Sequence, residues 1–308
     1  MIPRWGLVAT VKAPLADTLH FAAWHIEAGA HRLHLYLDDP QDPAFDILKS
    51  HPKLRPLRCD DAHWQGRRPK KHQVRQGQNA THAYRNASDV DWLIHMDVDE
   101  FLVSEDVASV LSDLPDAQRT ARIRPMEQLA GDGTHFKAFI PPGPDRARRV
   151  ERLYPTYGRY LKGGFLSHLA GKVFVRTGLP DLRFQIHNAF ANGDKIEGPE
   201  DTPGIDLAHC HARSWEDWRA AYGFRLQQGS YRAELAPNRP VAQGGMALHD
   251  LFRTLEAEGG DAALRDFFDE VCADGTDLRA RLDREGLLRR ANLRLKQPIV
   301  AHFPTYAP

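Results

Sequence analysis

An acidic cluster that directly follows an apolar run is the strongest chemical signal in the sequence. Residues 92–96 are mostly apolar and short enough for a buried strand, and Asp97, Asp99 and Glu100 follow at once. Because side chains alternate along a strand, we expect Asp97 and Asp99 to point the same way. Adjacent carboxylates repel each other unless a cation or a shared proton lies between them, and hard oxygen ligands suit Mg²⁺ or Mn²⁺. The cluster predicts a divalent-metal site, with a solvated acidic turn as the alternative.

The elements before this cluster predict the sheet that holds it. Strands are expected at 7–11, 32–37 and 54–57, and helices from Pro14 to about Gly29, at 44–50 and at 73–86. Strands that alternate with helices are typical of a parallel sheet with helices on its faces. The predicted class is therefore α/β.

A second acidic pair ends the second predicted strand. Asp38 and Asp39 precede Pro40, and in a parallel sheet they share an edge with Asp97 and Asp99. A carboxylate at this edge can accept hydrogen bonds from a ribose or a base. An ordinary turn explains Asp-Asp-Pro equally well.

Composition narrows the class of protein. Lys+Arg and Asp+Glu both number 41 in 308 residues, and this balance argues against a globally basic nucleic-acid binder. The three cysteines show no CxxC spacing, so a disulfide framework or zinc ribbon is not expected. There is no secretory apolar segment and no run long enough to span a bilayer. A cytoplasmic protein is expected, at most peripheral to the inner membrane face.

The order of these elements and the segment 91–102 resemble the GT-A glycosyltransferases, and most closely their family-2-like branch. The resemblance covers residues 5–218 and implies a GT-A (Rossmann-like), mostly parallel sheet flanked by helices. It also implies a nucleotide-diphosphate sugar donor, a Mn²⁺ or Mg²⁺ ion held by Asp97 and Asp99, and Asp38 or Asp39 near the donor nucleoside. The branch commonly has Lys-Asn-Glu after the first strand. Here Ala13 and Pro14 follow Lys12, so the nucleotide contact predicted at Lys12 is missing or altered.

Three further site residues follow from the resemblance. Residues 171–176 resemble the Gly-Lys strand of the family, where Lys172 would neutralise the diphosphate leaving group. His209 matches a late histidine that returns to the metal in the family, and His211 is the competing ligand. The alternative is that one of these histidines is structural and the other lies on the surface.

The catalytic base is the least constrained residue of the predicted site. Inverting transfer needs a carboxylate that accepts the proton of the acceptor hydroxyl. Glu197, Glu200 and Asp201 are the candidates, with Glu127 as a fourth. The Gly/Pro-interrupted stretch that holds the first three also reads as a loop in which acidic residues need no special explanation.

The rest of the chain predicts mainly helices. Ser104 and Ser214 are expected helix N-caps, and helices are expected at 248–258, 261–273 and 277–290. The resemblance implies a loop at 126–133 that faces the acceptor, and the Pro-rich, basic stretch 141–149 is expected to form an exposed loop. The predicted division is a GT-A nucleotide-sugar-binding and catalytic domain at 1–218 and a helical C-terminal extension at 219–308, packed on the same domain.

Together with these residues, the resemblance to the GT-A family implies a metal-dependent, inverting glycosyltransferase that acts in surface-polysaccharide assembly. Its expected partners are a nucleotide-diphosphate sugar and a saccharide or glycolipid acceptor, with no nucleic acid. Two other classes use the same features. A metal-dependent phosphohydrolase or nucleotidyltransferase would need no sugar acceptor, and a catalytically silent carbohydrate-binding scaffold would keep the sheet without the metal.

Overall fold

The computed structural model describes residues 2–306 as a mixed α/β protein, so the predicted class is confirmed. The described strands, in chain order, are β1 (Trp5–Val11), β2 (Arg32–Leu37), β3 (Leu54–Arg58), β4 (Trp92–His95), β5 (Glu100–Val103), β6 (Thr120–Ile123), β7 (Pro125–Gln128), β8 (His135–Ala138), β9 (Lys172–Arg176), β10 (Leu182–Phe184), β11 (Ala189–Ala191), β12 (Asp194–Lys195), β13 (Asp206–His209) and β14 (Leu288–Arg290). The described helices are α1 (Leu15–Glu27), α2 (Ala44–Lys49), α3 (Asp61–Trp64), α4 (His72–Asn86), α5 (Val107–Ser112), α6 (Arg146–Leu153), α7 (Trp215–Gln227), α8 (Leu248–Val271), α9 (Thr276–Arg284) and α10 (Lys296–His302).

The chain forms two compact units that are interleaved in sequence. The first contains the residues up to Arg124, Ala170–Leu207 and the residues from Arg294 onward. The second contains Pro125–Leu169 and Ala208–Leu293. The predicted functional division at residue 218 stays a prediction.

A six-stranded sheet forms the centre of the first unit. Its strand order is β3-β2-β1-β4-β9-β6. The first four strands are mutually parallel, and β9 and β6 continue the sheet in antiparallel pairs. The carboxyl ends of β1, β2, β3 and β4 therefore share one edge. Assignment of this sheet to the GT-A fold stays a prediction.

Buried side chains on both faces explain why the strands of this sheet read as nearly continuous apolar runs. Strands that are covered on both faces do not alternate between apolar and polar residues. On one face, the small residues Ala80 and Ala83 of α4 pack close to Val8 and Leu93. Trp5 of β1 is fully buried and contacts Phe174 of β9 edge to face.

The second unit combines a small antiparallel sheet with helices. β14, β8 and β7 pair in that order. Helices α7 and α8 bury an aromatic cluster that includes Trp218, Phe252 and Phe267. The predicted interruption of the long helical stretch is present at Gly260, whose φ of 58° and ψ of −142° interrupt α8. Such a conformation favours glycine.

The structure corrects four local predictions. Residues 126–128 belong to β7, and 288–290 form β14 rather than the end of a helix. Helix α6 begins at Arg146, inside the expected loop 141–149. The N-cap of α5 is Asp106, whose carboxylate accepts from the Ser109 N–H, whereas Ser104 donates to the Gly204 carbonyl. Asp106 directly precedes the first helical residue, which is the position where a side chain can reach the free N–H groups.

The length and polarity of a helix determine whether it can cross a membrane. Within residues 2–306, no helix combines the length and the apolar character that crossing a membrane requires.

Candidate functional site

The acidic cluster lies on a turn at the carboxyl end of β4. The strand ends at His95, and the Glu100 N–H donates to the Asp97 carbonyl at 3.1 Å, which closes a turn through residues 98 and 99. The expected strand alternation of Asp97 and Asp99 is therefore wrong, because the backbone folds back before Asp99. The predicted location holds, since β4 is one of the parallel strands and the cluster directly follows it.

Asp97 is held by side chains from two other elements. Gln76 of α4 donates to its Oδ1 at 2.5 Å, and the Lys172 Nζ of β9 donates to its Oδ2 at 2.6 Å. The Glu100 Oε2 lies 3.1 Å from the same Nζ and accepts from the Asp97 N–H at 2.8 Å. The side chains of Lys172 and Glu100 are 0% exposed, whereas that of Asp97 is 30% exposed. Asp97 is thus the accessible member of this ion-pair network, and Asp99 beside it is half-buried.

Three carboxylates lie close together in sequence at this turn. Those of Asp97 and Glu100 contact the Lys172 ammonium group, and Asp99 lies beside them on the turn. Burial alone would lower the pKa of Lys172, but the carboxylates of Asp97 and Glu100 raise it above its usual value. Burial, together with the charge of Lys172, lowers the pKa of His95 to about 3, so this histidine is neutral. A site rich in carboxylate oxygens is compatible with a divalent cation.

Lys172 itself occupies a different position from the one expected of a phosphate ligand. Its ammonium group is buried and contacts two carboxylates. Direct contact with a donor diphosphate stays a prediction. The observed contacts make Lys172 a positioning residue for Asp97.

The other predicted donor residues differ in their surroundings. Asp38 is 5% exposed and forms a bidentate pair with Arg75, with hydrogen bonds of 2.8 and 2.7 Å. The Arg68 Nη2 lies 3.0 Å from the same carboxylate. Asp39 is exposed and accepts from the Gln41 N–H, as the turn alternative expects. Lys12 is exposed just beyond β1. Donor binding by these residues stays a prediction.

The three candidate bases lie on an exposed segment after β12. Glu197 is paired with Lys195 at 3.2 Å, and Glu200 is paired with Arg124. The Asp201 carboxylate accepts from the N–H of the next residue, Thr202. The contacts of Glu197 and Asp201 are local, that of Glu200 reaches a distant residue, and none of them selects one of the three as the base.

His209 and His211 belong to the second unit. Both are buried, with ring centroids 5.4 Å apart, and His168 lies 5.6 Å from His209 by the same measure. The His211 Nε2 lies 2.8 Å from the Tyr231 hydroxyl, which fits the alternative of a structural histidine. The surface position that this alternative gives the other histidine is wrong, because His209 is buried as well. Metal binding by either histidine stays a prediction.

Sequence reasoning missed the polar face of α4. Arg75, Gln76 and Asn79 turn inward, and the fully buried Asn79 donates to the Thr10 hydroxyl of β1 at 2.9 Å. One signal was available. A helix that covers a sheet normally presents apolar residues to it, so polar residues near its N-terminal end indicate contact with a polar edge.

A groove of about 880 Å³ in the first unit runs along the same helix. Gln73, Gly77 and Arg85 of α4 line one side, and residues 181–188 line the other. The His187 Nδ1 in this wall lies 2.8 Å from the carbonyl of Gly171, the neighbour of Lys172. Helix α4 therefore contributes both to the groove and, through Gln76, to the carboxylate network.

The sequence of this region matches a known family. Residues 12–128 match the model of glycosyltransferase family 92, a stretch that includes α4 and the Asp97 turn. The match confirms the prediction that the protein is a glycosyltransferase enzyme. Such an enzyme implies a nucleotide-sugar donor and an acceptor.

Solved structures give weaker similarities. HddC from Yersinia pseudotuberculosis is 10% identical over 56% of this chain and 76% of its own, with a TM-score of 0.31. A mycobacterial protein is 14% identical over 56% of this chain and 53% of its own, with a TM-score of 0.28. The 4-diphosphocytidyl-2C-methyl-D-erythritolsynthase from Anaerococcus prevotii is 9% identical over 46% of this chain and 61% of its own, with a TM-score of 0.25. At these TM-scores the similarities support no conclusion about fold or function. No curated protein sequence matches the chain.

Proposed function

We propose that the protein is a metal-dependent glycosyltransferase of the GT-A type. It transfers a sugar from a nucleotide-diphosphate sugar to an acceptor hydroxyl. The observation that supports this most directly is the cluster of Asp97, Asp99, Glu100 and Lys172 at the carboxyl end of β4, three residues of which lie inside the matched segment 12–128. Inversion at the sugar and a role in surface-polysaccharide assembly are the finer parts of the proposal and rest on the family resemblance.

In this proposal Asp97 and Asp99 hold Mg²⁺ or Mn²⁺. Their carboxylate oxygens are the ligand type that these ions prefer. When bound, the ion neutralises the diphosphate and acts as a Lewis acid on the leaving group. Gln76 and Lys172 fix the orientation of the Asp97 carboxylate, because each donates to a different oxygen of it.

A catalytic base must take the proton of the acceptor hydroxyl. In an inverting transfer, the hydroxyl oxygen attacks the anomeric carbon while the bond to the diphosphate oxygen breaks. A carboxylate on the acceptor side receives the proton. Glu197, Glu200 and Asp201 remain the candidates, and single substitutions to the amide will separate them by their effect on kcat.

The experiment that tests donor binding is a thermal-shift panel. Nucleoside diphosphates and their sugars are added with and without Mn²⁺ to the wild type, to Asp99→Asn and to the matched control Asp116→Asn, which changes an exposed aspartate of the same unit. A ligand at a hundredfold excess over its Kd stabilises the native state by about 2.7 kcal/mol. We expect stabilisation by one nucleotide that requires Mn²⁺, persists in Asp116→Asn and disappears in Asp99→Asn.

Two outcomes contradict the proposal. If no nucleotide stabilises the folded wild type, the protein is a catalytically silent carbohydrate-binding scaffold rather than an enzyme. If a stabilising nucleotide sugar is cleaved equally fast with and without every saccharide acceptor tested, the protein is a phosphohydrolase instead.

A further inference from the structure

We propose that Asp132, His135 and Asp274 form a binding site for a divalent transition metal such as Zn²⁺, located entirely in the second unit. The site would cross-link the β7–β8 connection to the α8–α9 connection. It is independent of the donor site proposed above, since none of its residues belongs to the first unit.

Three ligand atoms of suitable chemistry converge at this point. One atom from each of Asp132, His135 and Asp274 lies within 4.8 Å of the other two. The His135 Nδ1 is 3.0 Å from the Asp274 Oδ2 and 3.9 Å from the Asp132 Oδ1. Bonds of about 2.0–2.2 Å to one tetrahedral Zn²⁺ place neighbouring ligand atoms roughly 3.3–3.6 Å apart. The two distances from the His135 Nδ1, 3.0 and 3.9 Å, lie on either side of this range, so small shifts of the side chains bring both into it.

The backbone around the cluster fixes two of the three ligands. The Asp274 N–H donates to the Ala130 carbonyl at 2.9 Å, and the Ala130 N–H donates to the Cys272 carbonyl at 2.7 Å. A Cβ atom on Gly131 would lie 2.5 Å from the Asp274 Cβ, so glycine is required for this close approach. The N–H and hydroxyl of Thr134 both donate to the Asp132 Oδ1, at 2.9 and 2.5 Å, and orient that carboxylate. The loop is organised before any ion arrives.

The electrostatics of the cluster favour a cation. The Asp274 side chain is 8% exposed, and its Oδ1 is buried without a hydrogen-bond partner among the described residues. The Arg279 Nε lies 3.5 Å from this oxygen. Two carboxylates thus face one guanidinium and one imidazole. A metal ion bound to the His135 Nδ1 and the Asp274 Oδ2 would replace the direct contact of 3.0 Å between these two atoms.

A competing explanation is that the three residues form a hydrogen-bonded cluster without a metal. The test uses the full-length chain carrying Asp99→Asn, so that the proposed donor site adds no metal. After dialysis against a chelator and then against Zn²⁺, the bound metal is counted by mass spectrometry and the thermal midpoint is measured. We expect one Zn²⁺ per chain and a higher midpoint than in the chelated protein.

Three variants in this background decide the assignment. His135→Gln should lose the stoichiometric Zn²⁺ and its stabilisation, while the control Asp269→Asn, which alters an exposed aspartate on α8 of the same unit, should keep both. Asp132→Asn changes a side chain that is 66% exposed, so it keeps the protein testable if His135→Gln does not fold. It should weaken Zn²⁺ binding about 10-fold or more. Equal Zn²⁺ binding by Asp132→Asn and Asp269→Asn, or no bound Zn²⁺ in the Asp99→Asn parent, would overturn the assignment.

Discussion

Two buried lysines, one in each unit, form ion pairs of the same chemistry in different settings. Lys137 of the second unit lies 2.9 Å from the Glu127 Oε2 and also donates to the Val271 carbonyl. Lys172 of the first unit contacts Asp97 and Glu100. The Glu127 side chain is 3% exposed, whereas that of Asp97 is 30% exposed. The Lys137–Glu127 pair of the second unit is closed to solvent. The Lys172 ion pairs of the first unit leave the Asp97 carboxylate accessible to a ligand.

The partners of the carboxylates explain this difference. The two oxygens of Glu127 also accept from the backbone N–H groups of Leu166 and Ser167. Burial alone would raise the pKa of Glu127, but Lys137 and the nearby His211 hold it well below its usual value. A buried charge with all its hydrogen bonds made is a structural element. Both oxygens of Glu127 are therefore occupied by structural contacts, and a role as the catalytic base stays a prediction.

The largest expected effect is the loss of the closed pair in Lys137→Met. This change leaves the Glu127 carboxylate buried without its counter-charge, which costs about 3–5 kcal/mol. The free energy of unfolding, measured by urea denaturation, should fall by this amount. The double variant Glu127→Gln/Lys137→Met should recover part of it, because the buried charge is gone. A single variant as stable as the wild type would show that the pair is not closed.

The next largest effect is expected at the open pair, and on activity rather than stability. Asp97→Asn removes a proposed metal ligand, but Lys172 keeps Glu100 as a partner. We expect the free energy of unfolding to change by less than about 1 kcal/mol, as for partly exposed pairs. Transfer activity should fall by about 10²–10³-fold, the usual result when one electrostatic contact of a transition state is lost. Asp116→Asn should change neither quantity, and a fully active Asp97→Asn would remove Asp97 from the site.

A third expected effect, spread over a range of pH rather than produced by one substitution, is a pH dependence that differs between the two units. Burial lowers the pKa of His25 to about 4 and that of His95 to about 3, from 6.5. Below pH 6.5 the unfolded chain binds protons that these folded histidines exclude, so stability falls with pH by up to about 1.4 kcal/mol per pH unit for each. The contribution of Glu127, whose pKa is lowered from 4.5, persists above pH 4.5 and is lost only in stronger acid. Between pH 6.5 and 4.5 the stability contributed by neutral His25 and His95 should therefore be lost, while that contributed by Glu127 persists.

His95→Leu is the matched test of this dependence. Neither ring nitrogen of His95 has a hydrogen-bond partner among the described residues, so leucine removes the titration without breaking a hydrogen bond. Urea denaturation at pH 7.0, 6.0 and 5.0 should give a shallower decline for His95→Leu than for the wild type. Parallel declines would mean that His95 does not titrate on unfolding in this range.

Local sequence was sufficient where an element follows from its own residues. The apolar runs of β1, β2 and β4 predicted buried parallel strands. Ser214 was predicted as the N-cap of α7, and its side chain does accept from the Asp217 N–H at 3.0 Å. In these cases the decisive interaction lies within a few residues of the chain.

Local sequence could not predict an element or a contact that depends on a residue far away in the chain. β14 exists because Leu288 pairs with Lys137, about half the chain away. Within the candidate site, the position of Asp97 was predictable, but its contacts with Gln76 and Lys172 come from elements on either side in sequence. The sequence pattern does not predict the turn at 98 and 99, because the expected alternation treats Asp97 and Asp99 as residues of the strand.

The packing of α10 on α1 has a consequence for biosynthesis. His302 of α10 pairs with Glu27 of α1 at 2.7 Å, and Ile299 and Phe303 are buried. During translation α1 leaves the ribosome more than 250 residues before its partner. The first unit therefore cannot complete its packing until α10 has been synthesised, and a chaperone that shields α1 until then would raise the yield of folded enzyme.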